Sequence, residues 1–214
     1  MRYYWHFLSL ATIIVIFIVL FFSLSLSVKD KITFTDEAET LTTPTITIAD
    51  PALGPLEAPV TIVNFGDYEC EACAKLEDSL ISLRAEYSDK LRIVWKDMPN
   101  TSQHAQALNA AIAAQCAGEQ DKFWEYHSLL MINQAKLSSE LYTEIATELN
   151  LKERPFTRCL EDQSTLPLVQ RGFEEGLALG ITATPTVYIN GERYTGTMTT
   201  SELRRIIENL ITNL

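Results

Sequence analysis

Residues 60–74 read VTIVNFGDYECEACA, and this stretch decides the fold. VTIVNF at 60–65 is β-branched and apolar, the composition of a strand buried on both faces. Directly after it Cys73, Leu76, Leu80, Leu83 and Tyr87 recur at spacings of three and four, which places them on one face of a helix. LRIVWK at 91–96 is a second strand. Strand, helix and strand with short connections form a βαβ unit, and such connections favour parallel strands. The class is therefore α/β, with a Cys-x-x-Cys pair, Cys70 and Cys73, at the start of the first helix.

Toward the C-terminus the pattern turns helical over about 102–180. Leu108, Ile112 and Cys116 mark one helix, Phe123, His127 and Leu130 another, and Leu141, Ile145 and Leu149 a third behind the cap residue Ser138. Pro155 suits the first turn of a fourth that carries Phe156 and Cys159. A fifth carries Val169, Phe173 and Leu177 and stops at Gly180. After this block TVYINGERYTG at 186–196 predicts a hairpin around Asn190-Gly191, and Thr199-x-x-Glu202 is a capping box opening the last helix.

Toward the N-terminus FLSLATIIVIFIVLFFSLSL at 7–26 carries no charge, proline or glycine. About 20 residues at 1.5 Å each span a hydrocarbon core, so residues 1–27 are expected to be a single transmembrane anchor. Arg2 in front of it puts the N-terminus in the cytoplasm and the remainder of the chain outside, at the cell membrane. A cleaved signal peptide is the alternative, with Ser25 and Ser27 as small residues near a cleavage point. In either case the domain works where disulfides persist. Residues 28–52 are polar and interrupted by proline, a tether in which TITI at 45–48 suggests a short edge strand; residues 53–214 are the folded domain. A net charge of −11 without a basic cluster excludes a nucleic-acid partner.

At a helix start, backbone N–H groups and the macrodipole favour a thiolate on Cys70, while Cys73 falls one turn later on the apolar stripe. Cys70 is then an exposed nucleophile and Cys73 the shielded thiol that resolves a mixed disulfide. Asp67, Glu69 and Glu71 oppose this, since like charge disfavours a thiolate. A structural zinc site usually needs four ligands, and no second Cys-x-x-Cys or close histidine pair exists, so no metal is expected. Two buried structural cysteines fit poorly at a helix start bounded by Glu69 and Glu71. Phe123, Trp124 and Tyr126 are expected to pack the helical block, and the roles of His104 and His127 stay open.

The stretches APVTIVNFGDYECEAC, CAGEQDKFWEYHSLL, FTRCLEDQ and GITATPTVYINGERYTG, in this order, resemble the DsbA-like family of thioredoxin-fold thiol-disulfide oxidoreductases in its membrane-anchored form. The resemblance implies a thioredoxin-like fold with a helical insertion, acting on extracytoplasmic thiol-containing proteins through Cys70 and Cys73 without a cofactor. It makes Pro185 a cis proline against the dithiol and has Thr184 present its backbone to an extended substrate chain. For an oxidising role it implies a quinone-linked membrane partner. Where the family often carries a buried acid, six residues before the first cysteine, this chain has Asn64, whose amide cannot serve as a base. Cys116 and Cys159, in neighbouring helices inside two family-like stretches, are expected to form a structural disulfide. The contrasting function is a non-catalytic module that captures extended chains while the dithiol is structural.

Overall fold

The computed structural model describes residues 14–22 and 41–213. Residues 14–22 are helical. Among the described residues no helix is long and apolar enough to cross a membrane, and the rest of the 7–26 stretch lies outside them.

From residue 41 onward the chain builds one five-stranded sheet, whose strands in spatial order are β1 (Ala52–Leu53), β3 (Leu91–Asp97), β2 (Val60–Gly66), β4 (Thr186–Ile189) and β5 (Glu192–Thr195). The βαβ unit comprises β2 (Val60–Gly66), α1 (Glu71–Glu86) and β3 (Leu91–Asp97), and β2 pairs with β3 in parallel, Val60 opposite Leu91. β4 (Thr186–Ile189) pairs antiparallel with β2, and β5 (Glu192–Thr195) with β4. The hairpin turns on Asn190 and Gly191, at φ of 47° and 88°, the left-handed conformations that Asn-Gly adopts most readily. α7 (Thr200–Thr212) starts at the expected capping box, with Thr199 and Glu202 each accepting from the other's backbone. Alternation along β2 directs Val60 and Ile62 toward a core shared with Leu76, Leu80 and Leu83 of α1 and Leu203 and Ile207 of α7. Val63 and Phe65 face a second core with Met98, Leu179 and Tyr188.

Between β3 and β4 lies the expected helical block: α2 (Ala107–Gly118), α3 (Phe123–Ile132), α4 (Ser139–Glu148), α5 (Glu153–Asp162) and α6 (Leu166–Ala178). Ser138 caps α4 by accepting from Leu141 N–H. The alanines of α2 are buried nearly all round, so their small side chains let neighbouring helices approach. Cys116 of α2 and Cys159 of α5 form a disulfide, with Cα atoms 5.8 Å apart. Phe123, Trp124 and Tyr126 pack this block as expected.

Two expectations are corrected. TITI at 45–48 is not a strand: Thr47 N–H and hydroxyl both donate to Asp50, forming a turn, and the edge strand is β1 (Ala52–Leu53), antiparallel to β3. Leu177 is 55% exposed rather than core-facing. α6 instead approaches through Gly172 and Gly176, where a Cβ would stand 2.9 Å from Asp97 O and 2.5 Å from Met98 Sδ. That close approach of helix to strand requires glycine and rotates Leu177 outward.

A buried charge cluster ties the chain before β1 to the sheet. Lys96 Nζ lies 2.9 Å from Asp50 and 2.8 Å from Glu175, and it donates to Thr45 O at 2.8 Å. The lysine is satisfied on several sides, as a buried ammonium must be.

Candidate active site

Cys70 is the N-cap of α1, with extended backbone at φ −82° and ψ 110°. Its Sγ accepts from Cys73 N–H at 3.2 Å, which satisfies one of the orphan donors of the helix start. On its other side, in the protonated form, Sγ–H donates to Thr184 O at 3.4 Å. The Thr184–Pro185 peptide is cis, as the resemblance implies, so the loop before β4 sets Thr184 against the dithiol. The two site pairs expected from sequence, Cys70 with Cys73 and Thr184 with Pro185, thus meet at one place. Cys116 and Cys159 lie apart from it in the helical block.

Burial separates the two thiols less than their positions suggest, because Cys70 is 7% exposed and Cys73 fully buried. Their acidities separate them sharply. The side-chain hydrogen bond with Cys73 lowers the Cys70 pKa to about 6 against the opposing effect of burial, with the Thr184 side chain and Cys73 N–H adding and Asp67 opposing. Cys73 is pushed well above the ordinary thiol range, first by burial and then by Cys70. One thiol is thus largely thiolate at neutral pH and the other stays protonated, the division of labour that stepwise exchange needs.

The flanking acids act less uniformly than expected. Glu71, with its side chain 82% exposed, pairs with Lys75 at 2.6 Å, one turn along the helix. The Glu69 carboxylate accepts from Gln106 N–H at the start of the helical block. Asp67, 1% exposed, is the acid whose charge raises the Cys70 pKa. Its carboxylate accepts from Glu69 N–H at 2.7 Å, Asn100 N–H at 2.7 Å and His104 Nδ1 at 2.8 Å.

Several residues of the site carry no local sequence signal. Gln134 of the helical block donates from Nε2 to Tyr68 O at 2.8 Å and Cys70 O at 2.9 Å, fixing the loop that carries the nucleophile. His127 is fully buried, with Tyr68 Oη 2.8 Å from Nδ1 and Glu77 Oε1 3.2 Å from Nε2. Nε2 and Oε1 are close without the alignment of a hydrogen bond. Asp97 accepts from Trp95 Nε1 and Gln115 Nε2, both at 2.6 Å, and burial raises its pKa to about 6. Asn64 is fully buried on the α1 side of β2, and neither amide atom has a hydrogen-bond partner among the described residues. Among those residues no group of three or more His, Cys, Asp or Glu could hold a metal.

Beside Thr184 runs a groove of about 460 Å³ bounded by Met98, Pro99, Phe173, Leu177 and Ile181. Its apolar wall includes the Leu177 that the Gly172 and Gly176 packing turns outward.

The family model described as thioredoxin matches residues 34–209. The fold is that of BdbD from Bacillus subtilis in its oxidised form, with a TM-score of 0.69, 23% identity and coverage of 79% of this chain and 96% of that one. It is equally that of the thiol-disulfide exchange protein alpha-DsbA2 from Wolbachia pipientis, at TM-score 0.68, 20% identity and coverage of 76% and 88%. In sequence the chain is 35% identical over 147 residues to a Na(+)/H(+) antiporter NhaA 1 of Salinispora arenicola, covering 69% of this chain and 22% of that protein. The chain spans about a quarter of the length of the curated relatives it matches.

Proposed function

This chain belongs to the thioredoxin family, and from that premise we propose that it is a protein-disulfide oxidoreductase exchanging disulfides with extracytoplasmic proteins while tethered to a membrane. The observation that carries the proposal is the asymmetric dithiol at the start of α1. Cys70 is lowered to about 6 and Cys73 is buried and raised, with cis-Pro185 and the Thr184 carbonyl against the nucleophile.

The chemistry runs in two steps. A substrate thiolate attacks the Cys70 sulfur of the oxidised enzyme and breaks the Cys70–Cys73 bond; Cys73 leaves as a thiolate and takes up a proton. A second substrate thiolate attacks the substrate sulfur of the mixed disulfide, forming the new substrate disulfide and releasing Cys70 as a thiolate. In reverse, Cys73 loses its proton and displaces the substrate. The low pKa of Cys70 makes it the better leaving group, so the mixed disulfide turns over rather than accumulating.

The apolar stretch 7–26 behind Arg2 supports the tether, and a quinone-linked membrane oxidant is the partner suited to an oxidising role. Relatives named as antiporters, matched over part of their length, fit a setting at a membrane. The test is equilibration of the full chain with glutathione buffers in detergent. A two-electron couple between about −120 and −270 mV is expected, because a Cys70 pKa of about 6 lies between those of the strong-oxidant and thioredoxin types. A dithiol that never exchanges would leave the structural-dithiol binding module as the function.

A further inference from the structure

The acid nearest the nucleophile poses a problem of charge. Asp67 O accepts the N–H of Cys70 at 3.2 Å, and the Asp67 carboxylate is locked by three donors, so a buried negative charge is fixed beside a sulfur that must itself become negative. Lys75 does not relieve it, being engaged by Glu71. The third donor, His104, is the one that can change its charge. Its Nδ1 is 2.8 Å from Asp67 Oδ2, and its side chain is 26% exposed, enough to trade a proton with water.

We propose that the His104–Asp67 pair is a proton-linked counter-charge for the Cys70 thiolate. With His104 neutral, donating from Nδ1–H, Asp67 presents an uncompensated carboxylate to Cys70. With His104 protonated, the pair sums to zero and the thiolate forms more readily. His104 acts through Asp67 and is a positioning residue, not one that touches the reacting sulfur. This rests on the reading of Cys70 as the attacking thiol.

The charged groups that act on His104 are Asp67, Glu69 and Cys70, all from the loop between β2 and α1. Burial lowers the His104 pKa, and these three outweigh it, so the net shift is upward. Coupling between two sites is reciprocal: if the Cys70 charge holds a proton on His104, that proton stabilises the Cys70 charge equally. The sign follows. His104 binds its proton more tightly in the reduced, thiolate form than in the disulfide form. In the pH window above the ordinary histidine value of about 6.5, reduction is therefore accompanied by proton uptake on His104, and the reduced form gains as pH falls through that window. Above both His104 midpoints the stabilisation is absent; it grows as pH falls through the window and is lost again once Cys70 itself takes up a proton, below its pKa of about 6.

The chain has three histidines, so the His104 ring can be followed by nitrogen-proton correlation NMR in oxidised and in reduced full-length protein, with His104→Gln and through-bond connection to its backbone as independent assignments. The expected result is a proton affinity about fivefold higher in the reduced protein, at the lower end of ordinary site-to-site couplings. His104→Gln should raise the Cys70 midpoint, read by ultraviolet thiolate absorbance, by the same factor. Equal His104 midpoints in the two redox states would overturn the proposal, as would an unchanged or lowered Cys70 midpoint in the variant. The first readout needs no variant to fold. Glutathione equilibration of the same samples separates the two levels: exchange without a His104 difference removes the counter-charge and leaves the enzyme, whereas absence of exchange removes the enzyme itself.

Discussion

Converting Cys116 and Cys159 together to alanine removes the crosslink between α2 and α5, and the structure sets the size of the loss. The bond closes a loop with a sequence separation of 43. The chain-entropy relation then gives about 4 kcal/mol of stability through restriction of the unfolded state. Truncation adds little beyond that. Thr165 Oγ1, 3.5 Å from Cys116 Sγ, keeps its own bond to Ile112 O at 3.1 Å when the sulfur is gone. Against a usual domain stability of about 5–15 kcal/mol this is a large fraction. Urea unfolding followed by tryptophan fluorescence reads it, since Trp95 is buried at the sheet and Trp124 packs against the helical block. A lower midpoint worth about 3–4 kcal/mol is expected, with the fast alkylation of Cys70 retained. A loss under about 1 kcal/mol would refute the loop-entropy reasoning, and loss of Cys70 reactivity in folded protein would show that the crosslink shapes the site.

Glu71→Gln should leave the Cys70 thiolate midpoint within about 0.3 unit, because Glu71 is solvent-exposed and already paired with Lys75; a larger fall would restore the flanking acid as an opponent of the thiolate. Asp97, raised to about 6 by burial, binds its proton more tightly folded than unfolded. Its contribution is therefore present below about pH 4 and is lost as pH rises through 6, at a cost of about 3 kcal/mol by pH 7. Urea unfolding across pH 4 to 7 should show this decline in the unmodified protein and a flatter profile in Asp97→Asn; parallel profiles would contradict it. The Lys96 cluster predicts the opposite limb. Burial raises Asp50, but hydrogen bonds from Lys96 and Thr47 and the Lys96 charge outweigh it, so the folded carboxyl lies below its ordinary value. That stability is present above about pH 4 and lost as pH falls through the folded value, which Asp50→Asn should remove from an acid titration.

What the sequence revealed was local. The Cys-x-x-Cys pair announces itself by falling where a strand-like run gives way to a helical period, and Asn190-Gly191 and the Thr199/Glu202 box are short signals confirmed in place. Pro185 and the Cys116–Cys159 bond were legible through resemblance to a family, since nothing in their own neighbourhoods dictates a cis bond or a pairing. The rest depends on which elements meet. Lys96 read as one residue of an apolar strand, yet its partners Asp50 and Glu175 come from the chain before β1 and from α6. His104 gave no signal until the loop after β3 was placed against Asp67, and Gln134 none until its turn met the backbone of Cys70. Along α6 Val169 and Phe173 face inward as their period predicts, but Leu177 does not, because close packing on β3 selects Gly172 and Gly176, which carry no hydrophobic signal.

The most direct test is the pH dependence of alkylation of the two thiols in the folded, reduced protein, resolved by peptide mass analysis. The site geometry predicts that Cys70 reacts fast with a midpoint near its pKa of about 6 while Cys73 stays unmodified throughout the range in which the protein remains folded. Equal reaction of both, or a Cys70 midpoint at the ordinary thiol value of about 8.5, would contradict the assignment of nucleophile and resolving thiol.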